Sequence, residues 1–140
     1  IKQSSNDLPW SSDENEQKRF IGANDEYDGA KNMEKVMQID NWQYKYPPFA
    51  WCAALGEGWY LPAKEELKII YSVNRTFDNI LEKTMKANGG DYLFSYLWSS
   101  TERDSVYEGK FFSWYVLMGG GDAYDGYKSI HNYVRAVSAF

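Results

Sequence analysis

The run Asn24-Asp25-Glu26-Tyr27-Asp28-Gly29 gathers oxygen-bearing side chains at a spacing that echoes a calcium-binding EF-hand loop. Such a loop closes on a bidentate glutamate at its twelfth position. Here that position is Lys35, whose ammonium cannot ligate a cation, so the run is better read as a turn in which Asp28 caps a following helix. His131 is the only histidine. Spacing alone does not exclude a Ser–His–Asp triad, whose members come from distant positions, yet nothing resembles a nucleophile elbow. No phosphate-binding glycine loop precedes a helix. The glycines of Met118-Gly119-Gly120-Gly121-Asp122 lie between two strand-like stretches and suit a hairpin turn. Glu65 and Glu66 are neighbours on a helix, point in different directions and read as a solvated face. Asn74-Arg75-Thr76 matches a glycosylation acceptor, which carries meaning only in a eukaryotic secretory context. Cys52 is the lone cysteine, inside the apolar run Phe49–Leu55. It can form no internal disulfide and reads as a buried, inert thiol.

The bulk figures narrow the partner class. One domain fits 140 residues. A net charge of −5 with Lys and Arg scattered argues against nucleic acid or an anionic membrane surface, which both need basic patches. No stretch has transmembrane length and no signal peptide is visible. An upstream segment is expected because the sequence opens on Ile1. Aromatic residues make up 18% of the chain, an excess that suits a recognition surface as well as a core.

The elements that must position these residues follow from periodicity. Residues 1–18 are polar and aperiodic, a tail or extended arm ahead of a single domain at 19–140. Lys18–Ala23 suggests a short strand. Ala30, Met33, Val36 and Met37 share one face of a helix. Pro47 and Pro48 open a short helix that stops near Gly56–Gly58, Trp59–Leu61 is extended, and Pro62 falls in the first turn of the next helix with Glu65 and Glu66. Leu67, Ile70 and Tyr71 face the core. Phe77, Ile80, Leu81 and Met85 line a third helix, stopped by Asn88-Gly89-Gly90. From residue 91 onward strands dominate, in 95–101, 111–118 and 132–140. The order of elements gives an α+β domain: N-terminal helices on a small, mostly antiparallel sheet, with a long loop-rich C-terminal region.

The ordered set Asp28–Asn32, Tyr46–Leu67, Trp98–Glu102, Ser113–Gly121, Lys128 and Tyr133–Phe140 resembles a known family. Over residues 19–140 the chain is similar to bacterial and phage lectin-like domains of the DUF1566 (Lcl C-terminal) type. The resemblance implies a C-type lectin-like fold, distantly related to formylglycine-generating enzymes. The calcium-binding motifs of sugar-binding lectins are absent, and a lone Cys52 cannot supply the cysteine pair of the enzymes. Some members are variable proteins of diversity-generating retroelements, which randomise adenines chiefly in Asn codons. Randomising the first two bases of AAC cannot give Lys, Glu, Gln, Met or Trp, so Glu102, Glu108, Lys110, Trp114, Met118 and Lys128 would be scaffold. Arg103, Asp104, Ser105, Tyr107, Ser113, Tyr115, Leu117, Asp122, Tyr124, Asp125, Tyr127, Ser129, His131 and Asn132 are reachable and form the candidate ligand-binding set.

The resulting expectation is a non-enzymatic domain that binds a protein or glycan ligand on a cell surface. It needs no cofactor or metal, touches no nucleic acid, inserts no segment into a membrane, and works outside the cell, at its surface or on a phage virion. The alternatives are a structural pilus-tip or surface-protein module, and an enzyme or enzyme remnant related to formylglycine-generating enzymes. In structural terms, Tyr107, Tyr115, Tyr124, Tyr127 and His131 are expected on one exposed side. Trp98, Trp114, Val116, Val134 and Phe140 are expected in the core, and Arg135 at least half buried near Glu102, hydrogen-bonded to Glu102 or to loop carbonyls.

Overall fold

The computed structural model describes residues 2–3, 6–89, 95–103 and 107–138, so Asp104, Ser105 and Phe140 lie outside the described set. Between the short strands at the N-terminus and the main sheet lie five α-helices among the described residues. Asp28 caps α1 (Gly29–Met37) as expected, its carboxylate accepting the Lys31 N–H. Gly29 is required where it stands: a Cβ there would sit 2.3 Å from the Leu61 carbonyl oxygen, so only a glycine lets α1 start against the later connection. Met33 and Val36 are buried, whereas Ala30 and Met37 from the same expected face stay exposed. The short helices α2 (Trp42–Lys45) and α3 (Pro47–Ala53) follow, the latter opened by its two prolines.

Pro62 lies two residues ahead of α4 (Lys64–Thr76) rather than inside its first turn. Glu66 is not the solvated side chain its position suggests. Its carboxylate accepts the N–H of Gly29 (2.6 Å), the N–H of Ala63 (3.0 Å) and the Tyr60 hydroxyl (2.8 Å), joining the starts of α1 and α4. Leu67 is buried and Ile70 and Tyr71 pack beside it. In α5 (Ile80–Ala87) Leu81 and Met85 reach the same cluster, while Ile80 is exposed, as is Phe77, which caps the end of α4 instead of joining this helix.

Among the described residues eight strands form three small antiparallel sheets: β1 (Lys2–Gln3), β8 (Arg135–Ser138) and β3 (Trp59–Tyr60); β2 (Leu8–Pro9) with β7 (His131–Asn132); and β4 (Tyr96–Glu102), β5 (Phe112–Leu117) and β6 (Asp122–Tyr127). The protein is thus α+β. The β4–β5–β6 sheet divides the interior in two. Leu97 and Val116 pair across one face and meet Leu67 and Met118 under α4. Trp98 and Tyr115 pair across the other and join the larger core of Trp10, Tyr46, Phe49, Leu61 and Val134. There Trp10, Tyr46 and Phe49 meet edge-to-face, with centroids 5.2–6.1 Å apart.

The N-terminal part decides between two readings and overturns a third. Of the tail and arm readings of residues 1–18, the arm is the one observed: β1 and β2 pair with late strands, and Trp10 is fully buried, its indole N–H donating to the Ser99 carbonyl. Residues 18–23 are not a strand. The N–H groups of Ile21 and Ala23 are instead taken by the carboxylate of Glu102, which removes their need for a β partner. Another correction concerns β6, a full strand where the Gly- and Asp-rich composition suggested loop.

Candidate functional site

Arg135 is buried, as expected, and its guanidinium donates to the Met85 sulfur. Glu102 is bound by Lys128, with Nζ 2.6 Å from Oε2 and both side chains wholly inaccessible. The Lys128 ammonium also donates to the Arg19 carbonyl and lies 4.9 Å from the centre of the Trp10 ring. Burial pushes the Glu102 carboxyl above its usual range, against the pull of Lys128 and of the Ile21 and Ala23 N–H groups. Burial likewise pushes the Lys128 ammonium down, against the pull of Glu102. This pair ties the arm, the end of β4 and the end of β6 into one joint.

From that joint the β5–β6 hairpin projects. Its register sets Ser113 opposite Gly126, Tyr115 opposite Tyr124 and Leu117 opposite Asp122. Successive residues of a strand point to opposite sides, so the expected single tyrosine face is split. On one side Tyr115 stands between Trp98, Tyr96 and Tyr124 at centroid distances of 5.7–5.9 Å. Burial raises the Tyr115 phenol above its ordinary range, with smaller contributions from Tyr96, Asp125 and Tyr124. Tyr96 and Tyr124 present their outer edges to solvent, and Ile130 completes this patch. Gly126 is its floor: a Cβ there would lie 2.6 Å from Ile130 Cδ1 and 2.9 Å from Tyr115.

On the opposite side Tyr127, 57% exposed, stacks on Phe112 with centroids 4.6 Å apart. Arg103 pairs with Asp125 and holds its guanidinium 5.9 Å from the Phe112 ring. Trp114, expected in the core, is only partly covered. The Lys64 ammonium lies 4.5 Å from its ring centre and is held there by Glu26. This second patch mixes three aromatic rings with two ion pairs.

The remaining candidates disperse. Ser113 and Asn132 are buried, and their Oγ and Nδ2 have no hydrogen-bond partner among the described residues, so neither contributes to an outer surface. Leu117 is half-buried at the end of β5, where its carbonyl accepts the N–H groups of Gly120 and Gly121. Asp122 and Ser129 are exposed in and beyond β6, and Tyr107 opens a 3-10 turn that leads to β5. His131 is exposed, 3.5 Å from Asp7, and no serine or cysteine bonds to it among the described residues. Sequence reasoning missed Tyr96, Phe112 and Ile130. Register places two of them, Tyr96 across from Leu117 and Phe112 across from Tyr127, while Ile130 follows β6 and comes to lie against Gly126.

Among the described residues no group of three His, Cys, Asp or Glu side chains is placed to hold a metal ion, and no helix is long and apolar enough to cross a membrane. Burial pushes the Cys52 thiol far up from its usual range, which keeps it protonated and unreactive. Compared with protein-family models and with curated proteins, the chain matches none.

Proposed function

We propose that the chain is a non-enzymatic binding domain of the C-type lectin-like class, which offers the β5–β6 hairpin to a protein or glycan ligand on a cell surface. One observation carries this reading. Three residues that randomised Asn codons cannot give are structural: Glu102 and Lys128 form the buried joint and Met118 is buried under α4, although Trp114 is only partly covered. Of the reachable ones, Arg103, Asp122, Tyr124, Tyr127, Ser129 and His131 are exposed, whereas Ser113 and Asn132 are buried. A surface that changes while its mounting stays fixed needs this division. Exposed tyrosines beside Asp, Ser and Gly also have the composition of a paratope, in which large rigid rings supply contact area at small entropic cost. The split into two patches makes the hairpin a blade with two usable sides.

The test is a glycan and protein array probed with the wild-type domain and with two double variants, Tyr96→Ser/Tyr124→Ser and Arg103→Ser/Tyr127→Ser. Loss of the array signal in one or both variants, with melting unchanged, supports the reading. Wild-type signal in both removes the hairpin as the binding surface. A nucleotide repeat of the hairpin-coding segment beside a reverse-transcriptase gene would support diversification, and its absence from the source genome would remove that part alone.

A further inference from the structure

Away from the hairpin, α1 and the turn from α3 to β3 flank a cavity of about 370 Å3 that is open to solvent. Its side-chain lining includes Met33, Met37, Trp59 and Tyr60, with Glu34 and Glu57 as its carboxylates. The volume falls within the range of small-molecule sites, as does a mostly apolar wall with a few polar groups. Glycines make one wall: Gly56 and Gly58 take positive φ angles of 129° and 85°, which carries the backbone past the opening without side chains. The Tyr60 ring is fixed, because its hydroxyl donates to Glu66. The two methionines supply an adaptable, polarisable floor, Met33 buried and Met37 about half exposed.

The charge of this cavity is what selects its occupant. Glu34 and Glu57 are both exposed, and neither has an ion-pair partner among the described residues. The neighbouring cavity around Glu16 differs: Arg19 and Lys45 pair with that carboxylate, so it is neutralised from within. An open apolar pocket with an aromatic wall and two carboxylates that form no ion pair among the described residues favours a cation that also carries apolar surface. Methionine sulfur and indole both tolerate such a cation at close range, whereas an anion would be repelled and a metal ion would lack ligands.

We infer that this cavity is a second binding site, separate from the hairpin, for a small organic cation with an apolar body, of the aryl-alkyl ammonium class. The site shares no residue with the β4–β5–β6 sheet, so its fate is independent of the array result.

The test uses the whole chain, labelled at its methionine methyls, titrated with benzyltrimethylammonium chloride and, separately, with benzyl alcohol and phenylacetate. Saturable shifts of the Met33 and Met37 resonances with the cation are expected. The Glu34→Gln/Glu57→Gln double variant should bind the cation about five- to tenfold more weakly, and added salt should weaken the wild type in the same direction. Ala30→Trp, a change at an exposed helical position in the lining, should fill the cavity and abolish the shifts. Three results overturn the proposal: no saturable shift at either methionine, benzyl alcohol or phenylacetate binding as tightly as the cation, or unchanged affinity in the double glutamine variant. The glutamine variant alters only exposed carboxylates, so it decides the matter even if Ala30→Trp does not fold.

Discussion

Replacing Lys128 by methionine is the most demanding test of the joint between arm and hairpin. The substitution keeps the length and apolar stem of the side chain and deletes the ammonium. Glu102 is then left with the Ile21 and Ala23 N–H groups but no counter-charge, in a place with no solvent access. Breaking one side of a buried ion pair costs about 3–5 kcal/mol, a large part of the roughly 5–15 kcal/mol that holds a domain folded. With a urea slope of about 2 kcal/mol per molar, the midpoint should fall by ~1.5–2.5 M. The double variant Glu102→Gln/Lys128→Met should recover part of that loss, because a neutral amide oxygen still accepts both N–H groups. The pH dependence has a defined sign. Burial already raises the Glu102 carboxyl, and losing the cation raises it further, so the folded variant holds a proton that the unfolded chain releases. Stability then falls as pH rises through the folded-state value, so the deficit of Lys128→Met should narrow as pH is lowered from neutrality toward the ordinary glutamate range. A midpoint shift below ~0.5 M, corresponding to about 1 kcal/mol, would refute the reasoning, as would a double variant no more stable than the single one.

Other expectations are simpler to check. Glu66→Ala removes the acceptor of three hydrogen bonds and should lower stability by about 2–3 kcal/mol in chemical melts, against near-neutrality for Glu57→Ala at an exposed turn. Tyr124→Ser and Tyr127→Ser should each stay within about 0.5 kcal/mol of wild type, whereas Trp98→Ala should lose roughly 3–5 kcal/mol; thermal melts that reverse this order would put the sheet inside out. Asp25 accepts the Tyr27 and Asp28 N–H groups, and the first of these, with help from the second and from Lys31, holds its carboxyl below the ordinary 3.8. A depressed folded value means stability present above that range and lost as pH falls through it. The advantage of wild type over Asp25→Asn should therefore shrink below about pH 4, as read by acid-side melts.

Sequence reasoning reached those parts of the fold that depend on local chemistry. Asp28 as a cap, the prolines opening α3 and the aromatic strands β4 and β5 are decided within a few residues of themselves, and all are observed. What it missed depends on partners far along the chain. Glu66 looked solvated because its donors come from α1 and from Tyr60. Residues 18–23 looked like a strand because their apolar pattern does not reveal that a carboxylate 81 positions later takes the Ile21 N–H. The resemblance marks Lys128 as scaffold, but only the fold shows that it neutralises Glu102. The candidate set was legible as a region but not as a surface. Composition marked residues 103–132, whereas the strand character of β6 decided which side each side chain takes.

The arm's placement also bears on how the chain comes off the ribosome. Trp10 packs at the centre of the larger core, yet the carbonyl that receives its indole N–H belongs to Ser99, 89 residues later. At about 5–20 residues per second, the nascent chain carries that tryptophan without its partner for roughly 4–18 s, longer still for the β2 pairing with β7. Contacts so remote in sequence slow the search for the native state. Closure of the arm must therefore wait until residues 99–132 have emerged, and a chaperone that shields the Trp10 segment would act at the step where misfolding is most exposed.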